Sequence, residues 1–233
     1  MLFCHVDTRA GGNMKVLYED NHLLVVDKDP NIPIQKDSSN DEDLLTILKK
    51  YIKEKYNKKG NVYLGLVQRL DRPVSGVCVF ARTSKAASRL SETIRKNKLN
   101  KKYIAVVEGK PKKEDTLVDK LLKDTNTNTV KVSPKGKESI LSYKVLATKD
   151  NKSLVDINLV TGRPHQIRVQ FSSRNYPILG DHRYNKNVKE DSQIALHSYE
   201  LSFEHPTTKK LITFRSLPKR SPFNNFDLNS LLK

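Results

Sequence analysis

GLVQRLDRPVSGVCVFARTSKAASRL, residues 65–90, is the stretch whose reading decides the fold class. Its first residues end a strand that the apolar pattern places at 63–67. Gln68-Arg69-Leu70-Asp71-Arg72-Pro73 then leaves regular pairing, because proline has no amide hydrogen and biases its predecessor toward extended backbone. Residues 76–81, GVCVFA, read as a buried strand, and Thr83 caps a helix whose inner stripe is Ala86, Ala87, Leu90 and Ile94. The unit is strand, arginine-flanked turn, strand and helix.

The same reading extends in both directions. Upstream, residues 14–28 predict two strands around the turn Glu19-Asp20-Asn21, and 41–56 predict a helix capped by Asn40 or Asp41, with Leu44, Leu45, Leu48, Tyr51 and Ile52 at helical spacing. Downstream, 102–108 is a strand. Two or three more lie between Thr116 and Leu159, with an Asn/Thr loop at 124–129. Thr161-Gly162-Arg163-Pro164 ends a strand and starts a helix, with proline in its first turn and Ile167 and Phe171 on one face. Strands follow at 194–203 and 211–214, and the tail from Pro218 is expected to be loosely docked. Strands outnumber helices and many connect as hairpins. The expected fold is α+β, a mixed, mostly antiparallel sheet with flanking helices. The expected organisation is an N-terminal extension at 1–13, one catalytic domain at 14–218 and a C-terminal tail at 219–233.

Composition narrows the function classes. The 233 residues carry a formal charge of +17, which attracts polyanions such as nucleic acid or an acidic membrane face. The longest apolar run is about five residues, far short of the ~20 that span a bilayer. The start, MLFCHVDTRAGG, lacks the basic segment and apolar core of a secretory signal. Two cysteines, Cys4 and Cys78, cannot build a disulfide framework or a thiolate zinc site, so the expected compartment is the reducing cytoplasm. His165, His182, His197 and His205 lack metal-ligand spacing, and no glycine-rich phosphate loop occurs, so neither a metal nor a cofactor is expected.

Three segments carry candidate chemistry. Between Arg82 and Lys113 there are eleven Lys/Arg and two acids, with Tyr103 in the middle of NKKYIAVVEGK. A cationic strip around an aromatic ring suits a nucleic-acid backbone with one base stacked on the ring. It equally suits a solvated helix face followed by a core tyrosine. Asp71 lies in the turn between two arginines. Near them a carboxylate stays ionised when partly buried, and it is then either a nucleophile or general base, or a plain surface ion pair before a proline. Thr161-Gly162-Arg163-Pro164-His165-Gln166-Ile167-Arg168 brackets a helix N-terminus with basic and polar side chains, either an anion-facing site or an ordinary strand-to-helix turn.

Taken together, these pieces resemble the RluA family of RNA pseudouridine synthases. Residues 65–90 are similar to that family's His-Arg-Leu-Asp-Arg signature, with Ser-Gly and an apolar strand behind it. KKYIAVVEG (101–109), LVTGRPHQIRVQF (159–171), ILGDHRY (178–184) and ALHSYELSFEHPTT (195–208) resemble its later segments in the same order. The resemblance implies a largely antiparallel sheet crossed by a cleft. It implies Asp71 as the catalytic aspartate, Tyr103 as the ring that stacks on the target base, and Arg168 as the arginine that pairs with the aspartate. Arg69, Arg72 and Arg163 become candidates for phosphate contacts, with Gln68, His165, Lys101 and Lys102 beside them as candidate RNA-binding residues.

One position departs from the pattern. Gln68 stands where the family usually has histidine, and glutamine hydrogen-bonds but does not titrate. The reading is mild if that residue only positions the loop or the RNA. The expected activity is isomerisation of uridine in ribosomal or transfer RNA by a cytoplasmic monomer, a catalytic domain without the small RNA-binding domain many relatives carry. The alternatives are a catalytically inactive RNA-binding or assembly module of the same fold, or a nuclease or glycosylase using Asp71.

Overall fold

The computed structural model describes residues 4–8, 12–186, 188 and 192–232. The chain divides into two compact units, residues 1–99 with 200–216 and residues 100–199 with 217–233. In chain order the first unit opens with β1 (Cys4–Thr8), β2 (Gly12–Glu19), β3 (Leu23–Lys28), α1 (Leu44–Lys55), β4 (Gly65–Leu66), β5 (Ser75–Ala81) and α2 (Ser84–Arg95). The second contains β6 (Asn100–Glu108), β7 (Glu114–Asp124), β8 (Thr129–Val132), β9 (Lys137–Lys149), β10 (Lys152–Leu159) and α3 (Gln166–Ser172). The division falls inside β11 (Leu196–Glu204); β12 (Leu211–Arg215) belongs to the first unit and the short α4 (Leu228–Leu231) to the second. The α+β class holds, with few helices on a sheet dominated by antiparallel pairs.

In the first unit, β2, β3 and β5 pair antiparallel in sequence order, with β1 against β2 and β4 against the end of β5. The extension expected at 1–13 thus contains an ordered strand. The apolar runs of β3 and β5 are buried on both faces, which is why they lack polar alternation. Leu23, Val25, Val77, Val79 and Ala81 form one face of this core, closed by Ala86 and Leu90 of α2. Thr83 caps α2 as expected, its hydroxyl accepting from the Ala86 amide at 3.2 Å. The cap of α1 is Asp43 rather than Asn40 or Asp41, accepting from the Thr46 amide at 3.1 Å. Asp41 is instead engaged by Arg72. The strand expected at 63–67 shrinks to the two residues that meet β5.

In the second unit, β10 pairs with β6 and β9, β9 with β7, and β7 with β8, all antiparallel. Four strands therefore fill 114–159 where two or three were expected. The 124–129 loop is the β7–β8 turn, folded by Asp124 accepting from the Asn126 amide at 2.9 Å. The tail is not loose. Phe223 is fully buried beneath the Arg220 guanidinium at 5.6 Å, and Arg220 donates to the Ile194 carbonyl at 2.9 Å. Phe223→Ala is expected to lower unfolding free energy by roughly 3–5 kcal/mol, the cost of emptying a buried aromatic site. Urea denaturation checks this, and a loss under about 1 kcal/mol would restore the loose-tail reading.

Candidate active site

Asp71 sits half-buried at the centre of the turn that feeds β5. The turn is held by its backbone. Asp71 accepts from the Val74 amide at 3.0 Å, and the next carbonyl, that of Arg72, accepts from both the Asn31 amide at 2.9 Å and the Lys28 ammonium at 3.0 Å. Lys28 is entirely buried. Its other donors reach the carbonyls of Asp29 at 3.0 Å and Ile32 at 2.9 Å. An ammonium has three hydrogens and here three acceptors, so the cation is matched to this cage. Burial still pushes the amine down to about 8, opposed by Cys78, Asp71 and Asp29 and reinforced by Arg72. Cys78 on β5 is fully buried, and burial pushes its thiol up to about 12.

The other candidates on this turn differ in what they face. Arg72 points outward to Asp41 and, at 3.8 Å, to Asp37, which fixes the loop before α1 to the turn. Arg69 is exposed. Gln68 is only 8% exposed, and neither polar atom of its buried carboxamide has a hydrogen-bond partner among the described residues. Lys28 went unnoticed in the sequence, where a lysine ending an apolar strand reads as a surface residue.

The remaining candidates lie in the second unit. Tyr103 is on β6 opposite Ile157 of β10 and is 6% exposed. Lys101 and Lys102, half-buried, precede it. Burial lowers the Lys101 amine, which comes so close to the 161–164 turn that a Cβ on Gly162 would stand 3.1 Å from it. That turn is bound to the side chain of Gln166, whose Oε1 accepts from the Thr161 hydroxyl at 2.8 Å and the Arg163 amide at 3.0 Å. The helix expected from Pro164 therefore begins two residues later, at Gln166. His165 precedes it in the left-handed region, at φ 51°. The Gln166 amide returns to the Arg163 carbonyl at 3.2 Å, and α3 itself has only seven residues. Residues 166–171 are all buried, where the sequence pointed to one apolar face. Arg163 is exposed and donates to the Glu138 carbonyl at 3.0 Å.

Arg168 is the most buried of the basic candidates. Its side chain is 6% exposed and forms a two-point pair with the fully buried Asp181, at 2.8 Å from Nε and 2.6 Å from Nη2. Asp181 also accepts from the Arg183 amide at 3.0 Å. It follows Gly180, whose φ of +73° and approach to Gln193 leave no room for a Cβ: one would stand 2.3 Å from the Gln193 carbonyl oxygen. The guanidinium lies 5.1 Å from the ring centre of Tyr184. Asp181 and Tyr184 belong to the ILGDHRY segment, which the sequence singled out without giving either a role. The structure thus gathers Gln68, Arg69, Asp71 and Arg72 on one turn of the first unit. In the second it gathers Lys101, Arg163, His165 and Arg168 around another, with Tyr103 two residues beyond Lys101 on β6.

Comparisons with known proteins agree on what this chain is similar to. The family described as RNA pseudouridylate synthase matches residues 22–173. The "Ribosomal large subunit pseudouridine synthase C" of Buchnera aphidicola subsp. Baizongia pistaciae is 36% identical over 212 residues, covering 86% of this chain and 65% of that protein. The "Ribosomal large subunit pseudouridine synthase D" of Zymomonas mobilis is 31% identical over 216 residues, covering 86% of this chain and 68% of that one. The chain thus spans about two thirds of the length of these relatives. Among solved structures, "Human RNA Pseudouridylate Synthase Domain Containing 4" superposes with a TM-score of 0.74 at 22% identity, covering 93% of this chain and 92% of that one, a likeness of fold.

Proposed function

The chain belongs to the RNA pseudouridylate synthase family, the isomerases that convert uridine to pseudouridine in RNA, and from that premise we propose that it carries this activity with Asp71 as the group that starts the chemistry. The observation that supports this most directly is the extent of the match, residues 22–173, which includes Asp71, Tyr103 and Arg168 together. The reading as a catalytically inactive binding module is not favoured.

In this reaction uracil leaves the sugar through nitrogen, turns and rejoins through carbon, so reactant and product hold the same atoms. A stacked uridine must first leave its helix. In our reading Tyr103 holds the extruded base by stacking, Asp71 acts as nucleophile or as base, and Arg168 is the arginine that partners it. Arg69, Arg163, Lys101 and Lys102 contact phosphates, while Arg72, His165 and Gln68 shape the turns that carry them. Residues 14–218 act as one catalytic domain. The formal charge of +17 supplies affinity for the RNA backbone.

The names of the relatives favour ribosomal over transfer RNA as the substrate. In our reading the working unit is a cytoplasmic monomer. Among the described residues no helix is long and apolar enough to cross a membrane. The test is tritium release from RNA labelled at carbon five of uridine, on unmodified ribosomal and unmodified transfer RNA separately. Release from ribosomal RNA is expected. Release from transfer RNA alone would overturn the substrate assignment. No release from either at stoichiometric enzyme, with RNA bound, would overturn the activity.

A further inference from the structure

We propose that Tyr184 is a positioning residue for the reaction: a ring anchored through its hydroxyl that sets the plane of the Arg168 guanidinium and ties it to the β7–β8 hairpin. The proposal rests on the reading of Arg168 given above. The two-point pair with Asp181 fixes the guanidinium along one edge, and what lies against its faces helps to set its plane. The Tyr184 ring, 5.1 Å from the guanidinium carbon, limits its tilt from one side. The ring can do so because its far end is held. The hydroxyl accepts from the Val130 amide of β8 at 2.9 Å and lies 2.6 Å from Nδ1 of His165, the residue just before α3. A phenol is protonated at neutral pH, and burial pushes this one further up, so the hydroxyl can donate to an Nδ1 that carries no hydrogen.

The hairpin is gripped a second time by the neighbouring residue, as the Arg183 guanidinium donates to the Asn128 carbonyl at the turn. Val130 and Leu121 of the hairpin pack with Val169 of α3 and with Tyr184. One short segment, 181–184, therefore supplies the acid that pairs Arg168, the ring that flanks it and both grips on the hairpin. A displacement of the hairpin is transmitted to the arginine through this segment.

Tyr184→Phe keeps the ring and its packing and removes only the hydroxyl, whereas Tyr184→Leu removes the ring. The single-turnover rate at saturating RNA is expected to fall roughly fivefold in the first and roughly 100-fold in the second, with RNA affinity unchanged, as misplacement of a reacting group costs rate rather than binding. A space-filling role alone predicts wild-type rates for Tyr184→Phe. The second readout needs no activity: the Nε–H resonance of Arg168, assigned by its loss in Arg168→Lys, is expected to be sharp in the wild type and broadened in Tyr184→Phe. An unchanged resonance in both variants overturns the proposal, whatever the rates do. Wild-type rates in both overturn it as well. Absence of turnover in the wild type would instead refute the proposed function, and the resonance would still decide the role of Tyr184.

Discussion

Asp71→Asn abolishes tritium release, by more than about 10³-fold, while RNA binding stays within about twofold of wild type. The carboxamide has nearly the shape of the carboxylate, but it is neither a useful nucleophile nor a base. The substitution keeps these bonds that frame the turn: the Asp71 carbonyl takes the Val74 amide, and the Arg72 carbonyl takes the Asn31 amide and the Lys28 ammonium. None of these bonds involves the side chain being changed. A filter-binding curve and a single-turnover time course on the same RNA check both halves. Residual turnover above about a tenth of wild type would remove Asp71 from the chemistry.

Lys28→Met is expected to destabilise the protein by at least roughly 3 kcal/mol and, at temperatures where it remains folded, to slow turnover about 100-fold. Replacing a buried charged pair by apolar residues is often harmless, because both partners are replaced together. Here the partners are the backbone carbonyls of Asp29, Ile32 and Arg72, which no side-chain substitution removes, and methionine takes the ammonium donor from all three. The Arg72 carbonyl keeps only the Asn31 amide, and the turn carrying Asp71 loses its side-chain tie to the end of β3. Urea unfolding and the single-turnover rate are the measurements. Stability within about 1 kcal/mol of wild type would show that the cage does not hold the turn.

The pH dependence carries its own sign. The folded-state value of Lys28, about 8, lies below its ordinary 10.5. Between these values the unfolded chain binds more protons than the native one, so this group makes stability rise with pH. The burial penalty is fully present below about 8 and is relieved above it, by about 1.4 kcal/mol per pH unit at most. Cys78, raised from 9.0 to about 12, acts in the opposite direction from about pH 9 upward. The Lys28 contribution is therefore read as the wild-type rise between pH 8 and 9 that Lys28→Met lacks.

What the sequence revealed follows the range of the interactions. Thr83 capping α2, the paired strands at 14–28 and the buried run of β5 are local, set within a few residues by periodicity and turn chemistry. The same logic placed Asp71 in a turn between two strands. It failed where a residue's meaning lies in a distant partner. Lys28 reaches the Arg72 carbonyl across 44 positions, and Arg168 meets Asp181 across 13 with no regular element spanning the gap. The cap of α1 was misplaced for the same reason: Asp41 suits an N-cap, but Arg72, 31 residues away, claims it. At the start of α3, Gln166 folds back on Thr161 and Arg163, and a side chain that closes its own turn delays the helix in a way residue preference does not disclose.

The burial of Cys78 makes the protein its own clock. Its sulfur lies in the strand that the Asp71 turn feeds into, and the thiolate needed for alkylation is scarce while the first unit stays closed. In a Cys4→Ser background, the rate at which a thiol reagent consumes Cys78 measures how often that unit opens. Bound RNA that rests on the Asp71 turn would slow the labelling, so occupancy could be followed with unmodified substrate and no isotope.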